Sequence, residues 1–200
     1  VSSKCTSGQF PGGVLYSGPQ GSGKLTSGLE TARILSCSGI KKGHWLCECP
    51  SCFQHKALVS NNVIVAGPRD CTPEISAAAK TFLNAIYINA KYLTAVRYLF
   101  VRSVRKLTQR FNPILWQDDD KLNKIAVLMS DIDEELEILD FPHELPEVEK
   151  VKKSCEKLVE LCKKLETSFL YDSIPIAQIR NVSSWARLKS VEGKKTIIIE

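Results

Sequence analysis

Apolar positions recur every three or four residues through most of the chain, and three short runs break that rhythm. The runs at residues 14–17, 62–67 and 195–200 read as strands, rich in branched or aromatic side chains. The first is expected to be buried on both faces, as in a parallel sheet. Between the first two runs, Leu25, Leu29, Ala32 and Leu35 predict a helix over residues 22–36 that packs on the sheet. Beyond Asp70 the pattern is helical for about a hundred residues. Thr72-Pro73-Glu74 supplies a cap, a first-turn proline and a first-turn acid. The helix it opens is expected to run to residue 111, where Asn112-Pro113 stops it. Asp118-Asp119-Asp120 then opens a second helix along Leu122, Ile125, Met129, Ile132, Leu136 and Leu139. After a turn with two prolines, a third follows along Val148, Val151, Cys155, Leu158, Cys162, Leu165 and Phe169. These two seams predict an antiparallel helical hairpin with coiled-coil packing, and they place Cys155 and Cys162 in its core. A last short helix should turn Ile176, Ile179, Val182, Trp185 and Leu188 inward.

A chain of 200 residues, 44% hydrophobic, can bury a real core and carry an addition to it. It has no apolar run of membrane-spanning length and no charged-then-apolar leader, so a cytoplasmic location is expected. The eight cysteines are then expected to be reduced. The net charge of +5 permits contact with nucleic acid without requiring it. Charge is segregated in the helical region. Lys91, Arg97, Arg102, Arg105, Lys106 and Arg110 make one helix basic; Asp131, Asp133, Glu134, Glu135 and Glu137 make the next acidic. Complementary packing of helices and a nucleic-acid surface both fit that pattern.

Chemistry is concentrated near the start. Residues 18–24 read GPQGSGK, between a strand-like run and a helical pattern. That is the setting of a phosphate-binding loop, in which glycines turn backbone N–H groups inward and the helix N-terminus and lysine add positive charge. The nucleotide-binding candidates are Gly18, Pro19, Gln20, Gly21, Ser22, Gly23, Lys24, Leu25 and Thr26. The competing reading is a chance glycine turn ahead of a helix. Leu25 stands where such loops carry a Mg²⁺-binding Ser or Thr. Leucine has no oxygen to give, and Thr26 is about 100° further round the helix. Phosphate binding can survive that change while hydrolysis is impaired.

Cys37, Cys47, Cys49 and Cys52 follow within sixteen positions, the last two in C-x-x-C spacing. Four thiolates in that pattern suit a tetrahedral structural zinc with no position left for water. A redox pair and unmetallated thiols are the alternatives, and His44 and His55 are read as surface residues of the same loop, with a stand-in ligand role as their other reading. At the other end, the strand 195–200 finishes on Glu200. An acid there suits a nucleotide-associated Mg²⁺; a plain strand ending on an acid is the other reading.

GVLYSGPQGSGK, the ARILSC helix end, the cysteine module, IAQIR and EGKKTIIIE together resemble the bacterial clamp-loader AAA+ subunits. These are the delta-prime and tau/gamma subunits of the DNA polymerase III holoenzyme. The resemblance covers about residues 10–70 and 172–200. It implies an α/β P-loop NTPase fold with a parallel sheet, a structural Zn²⁺ and an ATP/Mg²⁺ site. It implies as partners the other subunits of a ring, with the sliding clamp and primer–template DNA reached through the assembly, in DNA replication. The family's cysteines run C-x8-C-x2-C-x2-C; here the first two gaps hold nine residues and one. Glu200 stands where the family's ATPases carry Asp. Leu25 tilts the resemblance to delta-prime, which hydrolyses ATP poorly or not at all; an active tau/gamma-like ATPase is the alternative. The family's lid, collar and arginine finger would lie beyond residue 200, which makes the chain an N-terminal fragment. Residues 1–71 and 172–200 are then the AAA+ part, and 72–171 a helical insertion.

Overall fold

A computed structural model describes residues 10–67, 70–117, 119–190 and 193–200. Most of these are helical, with one small parallel sheet. The chain divides into two compact units, one running through Ala66 and resuming at Val182–Glu200, the other Gly67–Asn181.

In the first unit, helix α1 (Lys24–Ser36) starts directly from the glycine loop, and α2 (Pro50–Ala57) follows Cys37, Cys47 and Cys49. Strand β1 (Val63–Ala66) pairs in parallel with β2 (Thr196–Ile199), Val63 opposite Thr196 and Ala66 opposite Ile199. Leu25, Leu29 and Ala32 pack with Leu58, Val63 and Val65, and Ile198 closes over them. The inward stripe on α1 thus appears at the expected spacing, except that Ile34 is buried and Leu35 is half-buried.

The strand expected at residues 14–17 does not form. Leu15 is 91% exposed and no described residue pairs with this run, so the backbone there makes no ladder among the described residues. The sheet has two strands among the described residues, and β2 is half-buried at Thr196 and Ile198 and exposed at Ile197 and Ile199. Of the expected strand, glycine loop and helix, only the loop and the helix are therefore seen.

The second unit is helical. The long first helix of the sequence reading is two helices, α3 (Thr72–Tyr87) and α4 (Leu93–Thr108). Asn89 takes a left-handed φ of 48°, which an α-helix cannot carry, and the chain reverses there. Phe82 and Phe100 then stack across the α3–α4 pair, ring centres 5.9 Å apart. Helices α5 (Leu122–Leu139) and α6 (Val148–Phe169) form the expected hairpin, with Ile132, Leu136, Leu158 and Leu165 in its core. Cys155 and Cys162 are buried there, and burial pushes both thiols up to about 12. Asp118 and the Pro68-Arg69 strand end lie outside the described residues.

Opposite charges do meet between helices: Arg105 with Asp140, Lys106 with Glu74, and Lys157 with Glu135. Arg97, expected on a basic face, is instead buried. It donates to the carbonyls of Leu139, Asp140 and His143, closing the C-terminus of α5. Helix α7 (Ile176–Arg187) buries Gln178, Val182 and Trp185. Ile176, Ile179 and Leu188 are exposed, contrary to their expected inward placement, because the buried face follows Gln178 rather than the isoleucines.

Candidate metal centre and glycine loop

Residues 18–23 turn from the extended segment into α1. Gly23 sits at the N-cap with φ 80°, a left-handed conformation that favours glycine. No side chain caps the helix and no acid occupies its first turn. Its leading N–H groups are thus left for an anion. Lys24 folds back over the loop, its Nζ donating to Gly18 O at 2.9 Å and Pro19 O at 2.7 Å. Two of three ammonium donors are used, and the charge stands at the loop entrance. Leu25 is 6% exposed within the core cluster, so it serves packing and presents nothing to a cation. Thr26 is exposed on the same turn. Glu200 follows β2 at the surface, its N–H donating to Ala66 O.

The four cysteines meet. Cys37, Cys47, Cys49 and Cys52 bring their Sγ atoms within 4.8 Å of one another. The Cys37–Cys47 separation is 3.7 Å. Zinc–sulfur bonds of about 2.3 Å in a tetrahedron set an S–S edge of about 3.8 Å. One residue fewer between Cys47 and Cys49 than the resembled spacing therefore does not scatter the set. The backbone is shaped to the cluster as well. A Cβ on Gly39 would lie 2.4 Å from Cys47 Sγ, so only glycine fits beside that sulfur. Cys49 caps α2, accepting from the Cys52 N–H at 3.5 Å.

Electrostatics point the same way. Burial raises the Cys49 thiol, but the Cys52 amide and the side chain and amide of Ser38 outweigh it and bring Cys49 down to about 6. Amides of Gly43 and Gly39 likewise overcome burial and lower Cys37. Cys52 is pushed up to about 12, by burial first and then by Cys37 and Cys49. Crowded sulfurs cannot all ionise beside one another. A dication displaces the held protons and balances the charge. The donor set, its spacing and its charge fit a metal ion such as zinc.

Arg33 was not singled out in the sequence, yet it joins α1 to this cluster. It is 2% exposed and uses all five N–H donors. Nε and Nη2 clamp the Glu30 carboxylate at 2.8 and 2.5 Å. Nη2 also donates to Gly43 O at 3.0 Å, while Nη1 donates to His44 O at 3.3 Å and Cys52 Sγ at 3.0 Å. The bond to Glu30 holds its pKa above the usual arginine value. The signal available in the sequence was its spacing: Arg33 is four residues after Leu29 and eight after Leu25, on the buried face. Trp45 lies between two cations, 5.7 Å from Arg33 Cζ and 5.3 Å from Lys56 Nζ, and Lys56 donates to Cys47 O. His44 is exposed, as expected. His55 is buried against Ser60 Oγ at 3.3 Å, a correction to its surface reading. Neither imidazole is in the four-residue cluster.

No helix among the described residues is long and apolar enough to cross a membrane. Compared with protein-family models, curated proteins and solved structures, the chain finds no match, so its functional reading rests on these residues and their geometry.

Proposed function

We propose that this chain is a delta-prime-like subunit of a replicative clamp loader, built for assembly more than for turnover. One observation carries the reading: a four-sulfur cluster tied through Arg33 to the helix that a GPQGSGK loop opens. A phosphate-loop motif alone is common, and a cysteine module held on its own helix is much more particular. Zinc would be held by Cys37, Cys47, Cys49 and Cys52. With four thiolates it supplies rigidity and no catalytic water. A nucleotide's phosphates would lie at Gly21, Ser22 and Gly23, with Lys24 exchanging its carbonyl partners for phosphate oxygens. The burial of Leu25 supports weak or absent hydrolysis, since the position after the lysine gives the core a side chain and gives Mg²⁺ nothing. The parallel pairing of β1 and β2 supports the P-loop NTPase reading, with β2 leading to Glu200. The expected partners are other ring subunits, with the sliding clamp and primed DNA engaged by the whole assembly.

The test is ATP binding and turnover by the purified protein. Calorimetry is expected to show weak binding that Lys24→Ala removes, with no turnover above background. Turnover abolished by Lys24→Ala would favour an active ATPase using Glu200. No heat at millimolar ATP would remove the nucleotide site.

A further inference from the structure

One face of α5 is left open in the helical unit and changes character along its length. Leu122, Ile125, Ala126 and Met129 line a groove of about 560 Å³ with Phe111, and Asp133, Glu134 and Glu137 continue the same stripe. Successive lining positions are three or four apart, so this is one surface running along the helix, apolar first and acidic after. The apolar centre and the acidic centre are about ten residues apart, or about 15 Å along the axis.

The acidic half is only partly matched within the fold. Glu135, Asp140 and Glu74 are taken by Lys157, Arg105 and Lys106. Asp133, Glu134 and Glu137 are exposed, with the Arg105 charge near Asp133 and the Lys157 charge near Glu134. They also occupy the C-terminal half of α5, whose last turn has no basic residue. The negative end of the helix dipole disfavours carboxylates there. Three exposed carboxylates thus continue the apolar groove along the last turns of α5.

We infer that this groove is a docking site for a cationic amphipathic helix of a partner protein. Its apolar stripe would lie on the half-buried Leu122 and Met129 and the exposed Ala126, over a floor made by the buried Phe111 and Ile125, and a Lys/Arg cluster two to three turns away would meet Asp133, Glu134 and Glu137. Charge complementarity selects that occupant. The same carboxylates repel nucleic-acid phosphates, although the chain as a whole carries +5. The inference does not depend on the nucleotide or metal reading, since no residue of the groove belongs to either.

The probe is a labelled 18-residue helical peptide with leucines on one face for three turns and lysines over the last two. Fluorescence anisotropy with the full chain is expected to show saturable one-to-one binding that weakens as salt rises. The same peptide with glutamate in place of lysine is expected not to bind. Asp133→Lys combined with Glu137→Lys changes exposed side chains only. It is expected to weaken the lysine peptide at least tenfold and to bring the glutamate peptide into binding. Met129→Glu is expected to weaken both, with unchanged helical circular dichroism. Indifference of the lysine peptide to these variants overturns the proposal. So does a groove occupied by a second copy, seen as dimers in sedimentation that Met129→Glu dissolves.

Discussion

Arg33 is the residue on which the cluster turns. Its five donors meet a carboxylate, two loop carbonyls and a sulfur, of which the Cys52 sulfur is on a buried residue and the Glu30 carboxylate is partly exposed. Arg33→Ala is expected to destabilise by about 2–4 kcal/mol, moderated because Glu30 is partly exposed. Arg33→Lys should restore only part of that, as an ammonium cannot reproduce the fork. Chemical denaturation measures the stability, and chelator competition should show faster loss of metal in both variants.

His55 adds a pH dependence to the same unit. Burial, helped by the Arg33 charge, holds the ring down to about 4, against 6.5 when free. It is neutral in the fold and takes up a proton on unfolding. Its contribution is therefore complete above about pH 6.5 and is lost progressively as pH falls toward 4, by up to about 3 kcal/mol. His55→Gln is expected to flatten that slope, measured as the difference in Tm between pH 7 and pH 5 on metal-loaded protein. An unchanged difference would assign the acid sensitivity to other groups.

Among the elements, α3 depends on a cap from far along the chain. Glu166 of α6 accepts the N–H groups of Cys71 and Thr72 and the Thr72 hydroxyl, at 3.1, 3.0 and 2.9 Å. An acid at a helix N-terminus is well placed by charge as well as by hydrogen bonding. Burial, and then the nearby Asp70 carboxyl, nevertheless raise the Glu166 pKa. Stability from this group is thus greatest below the ordinary glutamate range and falls as pH rises through the raised value. Glu166→Ala is expected to lower stability by about 1–2 kcal/mol, and Glu166→Gln by less because an acceptor remains. Asp70→Asn should remove part of the decline with pH. Urea midpoints at two pH values separate these effects. Equal losses in the Ala and Gln variants would mean that the charge, not the hydrogen bonds, does the capping.

For the whole molecule, the division into two units predicts separable unfolding. The first rests on a small core, a two-stranded sheet and the cysteine cluster. The second has four long helices with their own apolar seams. Stripping metal with a strong chelator is expected to weaken or abolish the transition of the first unit. The helical melt of the second should stay where it was, as followed by circular dichroism and calorimetry. A single transition that shifts as a whole on chelation would show that the two are energetically one.

The helices were readable because a 3.6-residue period is a local property: Leu122 to Leu139 and Val148 to Phe169 needed only their own spacing to declare a buried face. The cysteine set was readable for a similar reason, since a C-x-x-C pair and two near neighbours leave little else for their sulfurs to do. The break at Asn89 was not, because the apolar rhythm carries on past it and one left-handed residue overrules that rhythm. Residues 14–17 were misread because a strand exists only through a neighbour's hydrogen bonds, and composition cannot supply the neighbour. Arg33 and Glu166 belong with that second group. Their partners lie on loops or helices up to 95 residues away, and they acquired a role when packing brought those donors and acceptors to them. Periodicity and motif spacing are written in adjacent residues, whereas pairing, capping and buried charge depend on which distant groups arrive.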